Sequence, residues 1–284
     1  MDIIDPHLHL FNLDNGQYDW LKPQHLPSWP DKNKINQNFA EHDLRLSPEH
    51  TLAGFVHIEA GFDNAQPWRE LDWLEQHCTL PFKSVAGGDL CAKNFPAVLS
   101  KLQTHSSLVG VRHILDDDAQ GLLTTKRFQQ HLALLAKHGL SFDAQFSLQD
   151  ISATQTLCKV LENTPELRII INHGGWPPTS NTSAAWQVWQ QNLTLLAQYP
   201  QVAIKLSGWE MQNRTYSRND IQRVLVTCLE TMAQSRVMLA SNFPLNTFSC
   251  SYAELWRTYT AQLGLSDSTS ELLVHKNSAF WYQF

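Results

Sequence analysis

Short apolar runs bounded by turn signals recur along the chain: Ile3–Leu10, Leu52–Ala60, Lys83–Leu90, Val109–Leu115, Ser141–Phe146, Arg168–His173, Val202–Ser207 and Arg236–Ser241. Stretches such as Ile169-Ile170-Ile171 and Val237-Met238-Leu239 lack the in-out alternation of a half-exposed strand. They read as strands buried on both faces, the signature of a parallel sheet covered by helices. Between the runs, apolar residues fall three and four apart. Phe128, Leu132, Leu135 and Ala136 make one helical face, which Gly139 closes. A second helix is predicted over 183–199, stopped by Pro200. A third, over 217–233, opens on a Ser217-x-x-Asp220 capping pair, and Ser268 with Glu271 predicts the head of the last helix.

The starts of these runs lie about 33 residues apart on average, close to the roughly 30-residue βαβ unit. Eight such units predict an α/β fold, a (β/α)8 TIM barrel in a single domain over 1–284. A doubly wound open sheet is the structural alternative, and the strand count opposes it. The interval between the first two strands is about 50 residues and holds Pro23, Pro27, Pro30 and Pro48 with Trp20 and Trp29. A long insertion after a barrel strand is expected to shape or cover the site at the C-terminal mouth.

Composition narrows the classes further. The 284 residues carry 21 basic and 27 acidic side chains, a net charge of −6, with no basic run of the kind that tracks phosphates, so a nucleic-acid partner is not expected. The 43% of hydrophobic residues argues against a disordered chain. Five scattered cysteines form neither a disulfide framework nor a zinc spacing, which suits a reducing compartment. Residues 1–6 have no basic leader and no apolar run reaches the roughly 18 residues of a membrane span, so a cytoplasmic protein without a membrane partner is expected. Of the 13 histidines, His7, His9, His57, His113 and His173 fall at strand ends.

Strand side chains alternate, so His7 and His9 should point together into the mouth. The other strand ends carry His57 and Glu59, Arg112 and His113, Asp143 and Gln145, His173, Lys205 and Ser207, and Ser241 with Asn242. Buried polar groups cost a few kcal/mol each without partners, and their concentration at strand ends reads as a site. Trp20 and Trp176 follow the first and sixth strands, where aromatic faces can stack on a sugar ring.

These motifs, taken in order, resemble the amidohydrolase superfamily in the branch of the L-fucono- and L-rhamnono-lactonases and 2-pyrone-4,6-dicarboxylate lactonase. The resemblance covers Asp5-Pro6-His7-Leu8-His9-Leu10-Phe11, Tyr18-Asp19-Trp20-Leu21, Val56-His57-Ile58-Glu59-Ala60 and Glu70-Leu71-Asp72-Trp73-Leu74. It continues through Gly110-Val111-Arg112-His113-Ile114-Leu115, Asn172-His173-Gly174-Gly175, Lys205-Leu206-Ser207-Gly208, Ala240-Ser241-Asn242-Phe243-Pro244 and Asn277-Ser278-Ala279-Phe280-Trp281. It implies a (β/α)8 hydrolase opening a sugar-acid lactone or a carboxylated cyclic ester. By position His7, His9, Arg112 and His173 bind and polarise the substrate, with His57, His113, Trp20, Trp176 and Lys205 as further binding residues. Opening a lactone builds negative charge on the carbonyl oxygen, which preorganised donors stabilise, and Arg112 can instead grip a carboxylate two-pronged.

The family's usual Ser-Asp-Trp-Pro stands here as Ser241-Asn242-Phe243-Pro244. An amide cannot serve as general base near neutrality. Three readings follow. Glu59, His173 or His9 takes the proton in a metal-independent hydrolase that needs no cofactor. Alternatively a single divalent metal such as zinc, on His7, His9 and His173, activates water in a hydrolase or decarboxylase. In the third, hydrolysis is lost and a sugar-acid-binding barrel remains. A homo-oligomer is left open.

Overall fold

The computed structural model describes residues 1–284. Eight parallel strands follow one another around a barrel in sequence order. They are β1 (Asp2–Leu8), β2 (Thr51–Ile58), β3 (Phe82–Gly87), β4 (Leu108–Ile114), β5 (Ser141–Gln145), β6 (Ile169–Ile171), β7 (Val202–Leu206) and β8 (Val237–Leu239). The barrel closes just beyond β8, where Leu8 bridges Phe243, Asn242 N donates to His7 O at 2.8 Å and His9 N donates to Phe243 O at 2.7 Å.

The helices are α1 (Trp68–His77), α2 (Phe95–Leu102), α3 (Ala119–Thr124), α4 (Lys126–Lys137), α5 (Ile151–Asn163), α6 (Ala184–Ala197), α7 (Trp209–Gln212), α8 (Arg218–Thr231), α9 (Tyr252–Arg257), α10 (Asp267–Glu271) and α11 (Asn277–Trp281). The expected apolar face of α4 is buried, through Phe128, Leu132 and Leu135. Gly139 follows α4 at φ 69°, a left-handed turn that favours glycine. Both halves of the Ser217/Asp220 capping box form at the head of α8. At α10 the structure corrects the sequence reading. The cap is Ser266, whose hydroxyl accepts from Thr269 N at 3.2 Å, and Ser268 lies inside α10.

Alternation along the strands sets the interior in layers. At the bottom, Val56, Ile58, Val85, Ile170, Ala203 and Met238 pack with Trp281 and Tyr282, which plug the barrel from the C-terminal end of the chain. Two residues on from Ala203 along β7, Lys205 meets Asp143 of β5 at 2.5 Å, both fully buried. Tyr282 OH donates to the same carboxylate at 3.0 Å. Two residues further, Gln145 and Ser207 stand at the mouth. The much larger apolar core lies between the strands' outer faces and the helices.

The insertion between β1 and β2 folds over that mouth. Phe11 and Phe39 form an antiparallel bridge across its base. Tyr18 N donates to Gly61 O at 3.0 Å and Trp20 Nε1 to Ala60 O at 2.7 Å, both in the segment after β2. Trp29 stacks edge-on against Phe248 after β8, and Asp31 pairs with Arg214 after α7 at 2.9 Å. The ammonium of Lys32 is held by the carbonyls of Trp20, Lys22 and His25. No helix is long and apolar enough to cross a membrane, and all five cysteines are free.

Candidate active site

The end of β1 carries an irregularity between Asp5 and Leu8 that turns His7 inward while Asp5 faces the shell. Asp5 Oδ1 accepts from His7 N and Ser241 N, each at 3.1 Å, and Oδ2 accepts from Tyr252 OH at 3.1 Å. Burial pushes this carboxyl up to about 6. Asp5 thus ties β1 to β8 beneath the mouth. The His7 ring is fully buried and neither of its nitrogens has a partner. It lies 5.1 Å from the His9 ring and 4.7 Å from the His173 ring, centroid to centroid. Burial, then the positive charge of Lys205 below it, holds the His7 imidazole well below the usual histidine range.

His9 donates through Nδ1 to Ile58 O at 2.7 Å, because a carbonyl can only accept. That fixes Nε2 as the lone-pair nitrogen, with the Asn242 side chain beside the ring. Burial and then Arg112 also depress His9, while Ile58 O and Asn242 favour its protonated form.

Arg112, on β4, donates from Nε to Glu59 Oε1 at 2.8 Å, from NH2 to Glu59 O at 2.8 Å and from NH1 to Gln145 Oε1 at 3.1 Å. Gln145 passes the network to Asp116 at 3.3 Å. A guanidinium has five N–H donors; with NH2 also 2.7 Å from Glu59 Oε1, one N–H on NH1 is left for a ligand. Glu59 is the counter-ion of Arg112, and its Oε1 is occupied accordingly.

His173 follows β6 at φ 53°, and its Nδ1 lies 3.0 Å from Ser207 Oγ. The ring also packs on Trp176 at 4.7 Å. Gly208, at φ 70°, is required here twice over, since a Cβ would stand 2.6 Å from His173 Nδ1. Asn242 adopts φ 63°, a conformation that Asn and Asp tolerate better than most residues. Its Nδ2 donates to Glu210 Oε1 at 2.5 Å. His173, Trp176 and Asn242 put three left-handed residues around one mouth, which matches the clustering of backbone strain at functional sites.

The structure thus brings together His7, His9, Arg112, His173, Asn242 and Glu59. Trp176 joins them through His173. Trp20 sits in the insertion against Phe11 and Trp29. Two predicted mouth residues point elsewhere. His57 faces the helical shell, where Nε2 meets Glu70 of α1 at 3.0 Å and Nδ1 accepts from Leu10 N at 3.2 Å. His113 packs on Phe128 of α4 and accepts from Leu90 N at 3.1 Å. The cause is strand parity: Arg112 and Val56 take the inward positions, so their neighbours turn out. Lys205 lies one layer below the mouth, and Asp143 and Pro6 O take up its ammonium. Burial lowers it to about 8.

Glu210 was not singled out from the sequence. It is fully buried, its Oε2 has no partner, and burial pushes it up to about 7. The signal available was an acidic residue just past Ser207-Gly208, which lies in a loop and not at a strand end. As arranged, no group of three His, Cys, Asp or Glu side chains can hold a metal ion.

The sequence profile of the family described as amidohydrolase matches residues 4–284. The Sinorhizobium fredii protein y4mH, itself uncharacterized, is 28% identical over 99% of this chain and 98% of its own. An L-fucono-1,5-lactonase of Burkholderia ambifaria is 23% identical over 83% of this chain and 81% of its own. Among solved structures, a Burkholderia multivorans amidohydrolase with bound zinc superposes over 100% of both chains, with TM-score 0.82 and 20% identity. A putative 2-pyrone-4,6-dicarboxylic acid hydrolase from Pseudomonas putida gives TM-score 0.71 at 18% identity, over 99% of this chain and 97% of its own. The last two show likeness of fold.

Proposed function

The chain belongs to the amidohydrolase family, and from that premise we propose that it is a metal-independent hydrolase opening a sugar-acid lactone or a similar cyclic ester. One observation carries the reading: His7, buried with both ring nitrogens unpartnered, stands between His9 and His173 beside Arg112. A buried polar group without a partner destabilises the fold by about 1–3 kcal/mol. Such a cluster of donors suits a ligand oxygen that gains negative charge as it reacts. The lactonase names of the relatives agree with that chemistry.

In the proposed reaction the lactone carbonyl faces the free N–H of Arg112 and those of neutral His7 and His173. Water attacks the carbonyl carbon, and its proton passes to His9 Nε2 as the C=O electron pair moves onto oxygen. Collapse of the tetrahedral adduct breaks the bond to the ring oxygen, which takes the proton back from His9. The product is the open hydroxy acid. His9 is favoured over Glu59 because the Glu59 carboxylate is ion-paired through Oε1 with Arg112. It is favoured over Asn242 because an amide cannot accept the proton.

The test is incubation of the chelator-treated protein with a panel of aldonolactones in ¹⁸O-labelled water. One label in the carboxylate of the product is expected. Unchanged lactone throughout the panel, with ligand-induced stabilisation retained, would instead identify a binding barrel.

A further inference from the structure

The Asn242 side chain stands between two titratable groups. On one side is the His9 ring, whose protonated form it favours. On the other is Glu210, whose Oε1 accepts from Asn242 Nδ2 at 2.5 Å. Glu210 reaches this place because Gly208 turns the chain sharply after β7 into the short helix α7. The groups that face it are Arg214, Tyr216, Tyr259 and Cys250. Arg214 gives its guanidinium to the Glu210 backbone carbonyl and to Asp31, not to the carboxyl. The carboxyl therefore sits in the interior with one amide donor and no counter-ion bound to it. Isolated buried carboxyls are costly, and those in a cleft beside a reacting centre are candidates for function.

We propose that Glu210 is the positioning residue that supplies the negative charge missing from the strand-eight position, acting through Asn242 on His9. This rests on the hydrolase reading above. The Glu210 carboxylate fixes the Asn242 amide with Nδ2 toward α7 and Oδ1 toward the His9 ring. When His9 Nε2 receives the water proton, the imidazolium is stabilised by that carbonyl dipole with the carboxylate behind it. The proton moves from water to His9 and on to the leaving ring oxygen, and Glu210 keeps its charge throughout. Burial, which raises Glu210 to about 7, makes the charge dependent on pH near neutrality.

Glu210→Gln keeps an acceptor for Asn242 Nδ2 and removes only the charge. On whichever lactone the wild type opens, kcat should fall at least about tenfold with KM within about threefold, and the acid limb of the kcat profile near pH 7 should disappear. The double variant Glu210→Gln with Asn242→Asp keeps a carboxylate–amide pair with its polarity reversed, and should recover kcat to within about threefold of wild type. A single variant with wild-type kcat and an unchanged pH profile overturns the assignment. So does a double variant no better than the single one. A substrate-free reading separates this from failure of the hydrolase proposal: in ¹⁵N-histidine spectra between about pH 5.5 and 8.5, the His9 ring shifts should move in the wild type and stay flat in Glu210→Gln. Identical spectra in the two proteins overturn the coupling even if no lactone is opened.

Discussion

The His7 ring gives the residue scale its sharpest prediction. With both nitrogens unpartnered, it contributes little to its own stability, so His7→Ala is expected to leave the melting temperature within a few degrees of wild type while kcat/KM on a lactone falls about a hundredfold, the scale of losing one oxyanion donor. Thermal melts beside steady-state kinetics check it, and a variant that loses stability but not rate would mark His7 as structural. At this scale the sequence was informative where a residue lies at a strand end and its parity is inward. Arg112 was legible for that reason, whereas His7 and His173, also at strand ends, reach the mouth through the irregularity after Asp5 and a left-handed turn after β6. His57 and His113 were not legible, because a one-residue change of parity sends a side chain to the helical shell, and only the barrel register settles parity. Glu210 escaped because it lies beyond the strands, on a helix whose direction a left-handed glycine sets.

At the scale of elements, the loops after β6 and β7 interlock. Gly208 leaves room for His173 Nδ1, and Ser207 holds that nitrogen at 3.0 Å. Gly208→Ala introduces both a clash and a β-carbon at positive φ, so it should displace His173 and cut kcat/KM at least about tenfold at a stability loss of about 1–2 kcal/mol. Crystallography of the variant shows whether the ring has moved. The insertion is the second element with a predicted role. Its Asp31–Arg214 pair links it to the chain segment that follows Glu210. The prolines, tryptophans and length of the insertion were readable as a cover for the mouth. Its partners were not, because contacts with the loops after β2, β7 and β8 are long-range and leave no local pattern.

At the scale of the whole molecule, the barrel itself was the most legible feature, since eight buried runs at βαβ spacing admit few other closures. Its internal layers were less so: the Lys205–Asp143 pair reads in sequence as two mouth residues and proves to be the floor beneath them. Burial inside that barrel also couples folding to pH. Glu210 is raised from the usual 4.5 to about 7. The unfolded chain therefore releases this proton first, the folded state holds more protons between those values, and the Glu210 contribution to stability falls as pH rises through the window. The loss is about 3 kcal/mol once both states are ionised. Asp5, raised to about 6, acts in the same sense. His7, His9 and His173, held low by burial, act in the opposite sense, adding stability as pH rises toward 6.5. Comparing Glu210→Gln with wild type isolates one group from this sum. The variant should melt several degrees higher than wild type at pH 8.5 and nearly level with it at pH 4.5, and a gap that does not change with pH would contradict the assignment of a buried carboxyl kept at the expense of stability.

The proposed function has this barrel open a lactone with its own histidines and arginine. The most direct measurement is acid release at constant pH from a panel of aldonolactones, recorded for chelator-treated wild type and for Arg112→Ala. Steady acid release by the wild type is expected on at least one lactone, undiminished by the chelator and at least about a hundredfold slower in the variant. Flat traces for every lactone at high protein concentration, or release abolished by the chelator and restored by zinc, would contradict it.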